Sequence, residues 1–142
     1  MRRMSMVDLL NKINVATSGT AIIVGGVARW LNGYTTEYLK RWVDISIPTK
    51  SIDAIRSLGR HGDIEGYTTF AHPVLSQFVV VTEDKYVLDV FVQDIPTEYT
   101  IVSGIKTITP QADLKWHIDM SEYIKSQHLY DKVERLKGIY NP

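Results

Sequence analysis

The chain has 142 residues, a length that suits one domain with a substantial core. It has no cysteine, which excludes a disulfide framework and thiolate chemistry and is typical of a reducing, cytoplasmic setting. Its 16 basic residues balance 16 acidic ones, and no apolar run approaches the ~20 residues that span a bilayer. We therefore expect a single domain over residues 1–142, with no membrane partner and no broad nucleic-acid surface.

Apolar side chains at helical spacing predict an amphipathic helix over residues 4–16. Residues 20–25 are β-branched and apolar on both faces, which predicts a strand in the middle of a sheet. Gly25 and Gly26 end that strand, and a short helical pattern follows over residues 27–33.

A second strand is predicted over residues 42–47, where Asp44 and Ser46 share one face and apolar residues form the other. Residues 49–62 predict a helix with Thr49 as a candidate N-cap.

Residues 78–92 predict a β-hairpin around the polar turn Glu83-Asp84-Lys85. In its second strand, Asp89 interrupts an otherwise apolar face, and a further short strand is predicted at 99–103. Residues 111–121 are compatible with a strand or a helix; Thr109-Pro110 is a good helix start, so we predict a helix.

The last segment places four apolar side chains on one helical stripe, which predicts a C-terminal helix (Leu129, Val133, Leu136 and Tyr140). Together these elements predict an α/β (α+β) fold. We expect a small mixed β-sheet of four to five strands with helices packed on one side.

Asp44 and Asp89 are flanked by residues that favour burial. A buried carboxylate requires pairing, hydrogen bonding or a cation, and Mg²⁺ prefers such oxygen ligands. If the two strands are adjacent, these acids form a candidate metal site. The alternative is that both lie solvated at the rim of the sheet.

Gly25 and Gly26 form a second candidate feature. A strand that ends in glycines and opens a helix directs backbone N–H groups at an anion, most often a phosphate. Glycine at this position also serves close packing or a backbone of positive φ, and both interpretations remain open.

The ordered segments "IIVGGVARWLNG", "KRWVDISIP", "YVLDVFV" and "KSQHLYDKVERL" resemble the minimal nucleotidyltransferase superfamily, which shares the polymerase-β catalytic fold. The most similar branch holds aminoglycoside nucleotidyltransferases and abortive-infection toxins. The resemblance covers residues 20–137 and implies a nucleotidyltransferase-like fold with NTP as substrate and Mg²⁺ as cofactor.

The resemblance also implies roles for single residues. Asp44 and Asp89 would be catalytic, metal-binding acids, and Gly25 and Gly26 would face the triphosphate of the nucleotide. The family's arginine position falls on Lys40, with Arg41 as a second choice. Three residues match the family's C-terminal motif, which packs towards the nucleotide (Lys125, His128 and Asp131).

Three positions depart from the family pattern. Ser46 stands in the nucleotide site where the family has a second aspartate, Trp42 replaces a threonine, and Gln127 replaces a lysine. A serine hydroxyl is a poor replacement for a carboxylate that bridges two cations, so the two-metal site is weakened.

Two functions are therefore open. The chain is either a Mg²⁺-dependent nucleotidyltransferase, moving a nucleoside monophosphate from an NTP to a hydroxyl acceptor, or a catalytically degenerate protein of that fold. The second would act as an antitoxin-like or structural component of a larger assembly, such as that of a phage. An acceptor site in this superfamily often needs more than one domain, so we expect a protein partner or a homo-oligomer, in the cytoplasm or in a virion.

Overall fold

The computed structural model describes residues 4–62, 76–94 and 97–141, which form five helices and seven strands. The helices are α1 (Met6–Ala16), α2 (Gly25–Leu31), α3 (Ile52–Arg56, entered through a 3-10 turn at Thr49–Ser51), α4 (Pro110–Ile124) and α5 (Gln127–Tyr140). The strands are β1 (Ile22–Val24), β2 (Trp42–Ile47), β3 (Arg60–Gly62), β4 (Ser76–Val81), β5 (Val87–Val92), β6 (Tyr99–Val102) and β7 (Ile105–Ile108). None of these helices combines the length and apolarity needed to cross a membrane.

All seven strands join one mixed sheet in the order β3-β4-β5-β2-β1-β7-β6. The pairs β2–β5 and β1–β7 are parallel, and the other neighbours are antiparallel. The α/β class is thus confirmed, but the sheet has seven strands rather than four to five. The additional strands are β3 and β7, whose sequences Arg60–Gly62 and Ile105–Ile108 carry no strand signal that we recognised.

The helix predicted over residues 49–62 is shorter than expected, because α3 ends at Arg56 and the chain re-enters the sheet at Arg60. Gly59 explains this change of direction. A Cβ atom at Gly59 would overlap the backbone carbonyl of Val81, the residue that pairs with Arg60. Glycine permits this close approach of two backbones.

Residues 111–121 lie in helix α4, as predicted. The side chain of Thr109 caps the helix by accepting a hydrogen bond from the backbone N–H of Ala112 at 3.2 Å, and Pro110 occupies the first turn. The capping residues therefore decide between two patterns that the apolar side chains alone leave open.

The main core lies on one face of the sheet, where the apolar residues of β2 and β5 pack with α1, α2 and α3. Its members include Leu9, Leu10, Ile13, Ile23, Val27, Val43, Ile45, Ile47, Ile55, Leu88, Val90 and Val92. Because side chains alternate along a strand, Asp44, Ser46 and Asp89 lie on the opposite face. There Trp116 of α4 packs edge-on against Phe91, with ring centroids 5.7 Å apart. Helices thus contact both faces of the sheet, rather than one side as predicted.

Candidate functional site

Asp44 and Asp89 are direct neighbours in the sheet. Strands β2 and β5 are parallel, and their register pairs Asp44 with Asp89. Neighbouring strands lie about 4.8 Å apart, and paired residues point to the same face. The two carboxyl groups are within hydrogen-bonding reach of each other, and Asp89 is only 8 % exposed. Residues separated by 45 positions in the chain thus form one carboxyl pair.

Two side chains donate hydrogen bonds to this pair. The indole Nε1–H of Trp42 donates to Asp44 Oδ1 at 3.0 Å, and the amide of Gln77 on β4 donates to Asp89 Oδ1. Both donors therefore bind an Oδ1 atom, and neither binds an Oδ2 atom.

Burial makes a double negative charge on this pair unfavourable. It raises the pKa of Asp89 to about 6; the charge of Asp44 adds to this shift, whereas the hydrogen bond from Gln77 opposes it. Burial also raises the pKa of Asp44, against the hydrogen bond from Trp42 and the positive charge of Lys132. A cation placed between the two carboxylates would remove this penalty.

The glycine pair lies beside Asp44, because Val24 at the end of β1 pairs with Asp44 across the antiparallel β1–β2 ladder. Gly25 has φ +66°, and a Cβ atom there would overlap Asp44 Oδ2. A Cβ atom on Gly26 would instead meet nothing within 4 Å. Gly25 is thus required by the backbone and by the carboxylate, whereas Gly26 borders open space.

Ser46 takes no part in a carboxylate cluster. It is 4 % exposed, its hydroxyl accepts a hydrogen bond from Gln93, and Gln93 also donates to Thr97 Oγ1 at 3.1 Å. Its partners across the sheet are apolar, Ile22 on β1 and Phe91 on β5. Over residues 4–62, 76–94 and 97–141, no three or more His, Asp or Glu side chains gather where they could hold a metal.

Within the described residues, the two basic residues before β2 form no hydrogen bond with the carboxyl pair. Lys40 is exposed. Arg41 faces the β4–β5 turn, where its guanidinium donates to the backbone carbonyl of Asp84 at 2.6 Å and lies 5.3 Å from the centre of the Tyr86 ring. Asp84 and Tyr86 also line a separate cavity of about 300 Å³, whose lining includes neither aspartate of the pair.

The C-terminal residues expected to approach the nucleotide are exposed. Lys125 ends α4 in a left-handed conformation, with φ 53°, and His128 and Asp131 lie on the outer side of α5. Asp131 accepts a hydrogen bond from Gln127 at 2.8 Å. Among the residues that the structure describes, none of these three hydrogen-bonds to the carboxyl pair.

Lys132 is a site residue that the sequence analysis missed. It is half-buried on α5, and its positive charge acts on Asp44. Burial lowers its pKa, and repulsion from Arg29 and Arg135 adds to this shift. The signal was present in the sequence: at 100° per residue, Lys132 lies nearer than Asp131 to the apolar stripe of α5.

A buried ionic network fixes α2 against the two C-terminal helices. Arg29 of α2 donates to both carboxylate oxygens of Asp113 on α4, at 2.9 and 3.2 Å. His117 Nδ1 lies 3.2 Å from Asp113 Oδ1, and the Tyr140 hydroxyl donates to Asp113 Oδ2. Burial opposes ionisation of Asp113, but the hydrogen bonds from His117 and Arg29 outweigh it and hold the pKa of this carboxyl well below its usual range. No motif in the sequence pairs Arg29 with Asp113.

The chain is similar to two solved structures of one enzyme. The crystal structure of ANT(2'')-Ia in complex with adenylyl-2''-tobramycin aligns with a TM-score of 0.54 and 17% identity, over 95% of this chain and 96% of that chain. The solution structure of the antibiotic-resistance factor ANT(2'')-Ia aligns with a TM-score of 0.56 and 15% identity, over 94% and 90%. No family model and no curated protein matches the chain. At this identity the likeness shows the fold, which is nucleotidyltransferase-like, as the sequence resemblance implied.

Proposed function

We propose that the protein is a magnesium-dependent nucleotidyltransferase that moves a nucleoside monophosphate from an NTP to a hydroxyl of an acceptor. The observation that carries the proposal is the pairing of Asp44 with Asp89 on parallel strands, beside the Gly25-Gly26 turn. The nucleotidyltransferase-like fold of the chain supports it.

The two carboxylates fit a magnesium ion. They offer adjacent oxygen ligands of the kind that Mg²⁺ prefers. Burial raises the pKa of both carboxyl groups, and a bound cation would offset that effect. A bound ion would supply charge compensation for the phosphates and for the leaving pyrophosphate.

The nucleotide phosphates would lie next to Gly26, where the missing side chain leaves open space beside Asp44. Lys132 adds a positive charge near Asp44, so it is suited to attract the triphosphate. The sequence resemblance assigns further nucleotide contacts to four exposed residues and to the half-buried Arg41, which binds the β4–β5 turn (Lys40, Lys125, His128 and Asp131).

In the proposed reaction the acceptor hydroxyl oxygen forms a bond to the α-phosphorus. The bond from that phosphorus to the oxygen bridging to the β-phosphate breaks, and pyrophosphate leaves. Asp89 would take the hydroxyl proton. Asp89 is suited to this role because it is a carboxylate next to the proposed cation site.

A second function is favoured by Ser46 and Trp42. Where the family has a second acid, this chain has Ser46, which is buried and hydrogen-bonded to Gln93. The indole of Trp42 donates a hydrogen bond to one oxygen of Asp44. Under this alternative the chain keeps the fold without the transfer reaction. It would work through a protein partner or a second copy, as an antitoxin-like, regulatory or phage-assembly component.

Calorimetric titration with a non-hydrolysable ATP analogue, with and without Mg²⁺, tests the site. We expect Mg²⁺-dependent binding that Asp44→Asn weakens at least tenfold and that the exposed control Asp53→Asn leaves unchanged. Absence of Mg²⁺-dependent binding at millimolar nucleotide would refute the enzyme function. Binding without pyrophosphate release, across a panel of hydroxyl acceptors, would favour the alternative.

A further inference from the structure

We infer that the nucleotide site holds one divalent cation rather than the two of a two-metal mechanism, an inference that rests on the proposed function. Two cations about 3.5–4 Å apart need carboxylates that both ions share. On the site face of β2 and β5 the carboxylates are Asp44 and Asp89, side by side, and within residues 4–62, 76–94 and 97–141 no third His, Asp or Glu side chain joins them.

Ser46 is held away from metal coordination by its surroundings. It is 4 % exposed, and its hydroxyl is already bound to Gln93, which is itself 8 % exposed and tied to Thr97. Its neighbours across the sheet, Ile22 and Phe91, offer no oxygen ligand. To bind a cation, Ser46 would have to give up a buried hydrogen bond and leave Gln93 less satisfied.

The hydrogen bonds to the carboxyl pair further limit the number of cations that the pair can bind. Trp42 occupies Asp44 Oδ1 and Gln77 occupies Asp89 Oδ1, so one oxygen of each carboxylate is committed to the protein. The two remaining oxygens suit a single ion, whose other ligands would be nucleotide phosphates and water.

The number of bound cations can be measured by equilibrium dialysis of the full chain with Mn²⁺ and α,β-methylene ATP, an analogue that cannot undergo the transfer. Bound Mn²⁺ and bound nucleotide are each measured as the excess concentration in the protein chamber. The quantity of interest is the ratio of bound Mn²⁺ to bound nucleotide. We expect a ratio of one. A ratio of two would overturn the inference and leave the proposed function standing, whereas no excess nucleotide would overturn both.

Substitutions at Ser46 separate the ligand argument from simple stability. Ser46→Ala should leave the ratio at one and Mn²⁺ affinity within about threefold of the parent protein, because the hydroxyl is not a ligand. A loss of tenfold or more in a folded Ser46→Ala protein would contradict the inference. A ratio of two in a folded Ser46→Ala protein would also contradict it.

Trp42→Phe provides a test that does not depend on the buried position. Removing the indole N–H frees Asp44 Oδ1, so Mn²⁺ should bind several-fold more tightly while the ratio stays at one. The loss of the free-Mn²⁺ electron paramagnetic resonance signal reports this affinity. A ratio of two in the Trp42→Phe protein would overturn the inference.

Discussion

Replacing Asp89 with asparagine should stabilise the protein at neutral pH. An asparagine side chain has the shape of a protonated aspartic acid, keeps an oxygen for the hydrogen bond from Gln77, and cannot acquire a charge next to Asp44. We therefore expect Asp89→Asn to relieve the repulsion and desolvation that raise the pKa of Asp89.

The size and sign of this stabilisation follow from the linkage between protonation and folding. The folded-state pKa of about 6 lies above the ordinary value of 3.8, so between these values the folded protein holds a proton that the unfolded chain has released. The free energy of unfolding therefore falls as pH rises from about 4 to 6, and the difference between the two pKa values corresponds to about 3 kcal/mol. The Asp89→Asn protein does not lose stability in this way. Its free energy of unfolding should therefore equal that of the parent protein near pH 4 and exceed it by up to about 3 kcal/mol at pH 7.5.

Urea denaturation of both proteins between pH 4 and 7.5 measures the difference directly. Saturating Mg²⁺ and nucleotide should stabilise the parent protein at pH 7.5 more than the variant, because the variant offers one carboxylate. Asp53→Asn on the exposed surface of α3 serves as the control. Parallel stability curves for Asp89→Asn and the parent protein would refute the physical account of the carboxyl pair.

Three other substitutions test the surroundings of the site by urea denaturation. Gly25→Ala should destabilise the protein by about 2 kcal/mol or more, because it combines a left-handed backbone with overlap onto Asp44 Oδ2; a change below about 0.5 kcal/mol would contradict the close contact. Gly26→Ala fills open space in a helix and should be neutral or up to about 1 kcal/mol stabilising. It should nevertheless weaken nucleotide binding, as measured by calorimetry. Unchanged nucleotide affinity would mean that the phosphates do not lie next to Gly26. Asp113→Asn should cost about 3 kcal/mol by leaving Arg29 buried without its charge partner, and adding Arg29→Met should recover part of the loss; simple additivity of the two changes would argue against a coupled pair.

Much of the fold could be predicted from the sequence because its strongest patterns are local. The buried strands, the hairpin and the capped helices can each be recognised within about 15 residues. Strands β3 and β7 could not be found this way, since pairing with β4 and β6 stabilises segments that have no periodic signal of their own. The length of α3 likewise depends on a tertiary contact, between Gly59 and Val81.

Some residues of the candidate site could likewise be identified from the sequence, and others could not. Asp44 and Asp89 could be identified because a charged residue inside an apolar strand conflicts with its surroundings. Asp113 lies on a helix, where charged residues are common, so only the packing of α4 shows that it is buried near other charges. For Lys132 the helical periodicity of α5 indicates partial burial, but only the packing shows that it lies near Asp44. Gln77 and Gln93, which bind Asp89 and Ser46, are uncharged and gave no signal at all.

The energetic cost of the carboxyl pair bears on the choice between the two proposed functions. A protein that used this fold only as a scaffold would gain about 3 kcal/mol at neutral pH by exchanging Asp89 for asparagine, a single substitution that preserves the hydrogen bond from Gln77. Native domains are stable by only about 5–15 kcal/mol, so that gain is large. Unfavourable charge of this kind is expected where a bound cation or a proton transfer requires it. The serine at position 46 argues against a full two-metal site, but the retained pair argues that the remaining carboxylates have a ligand.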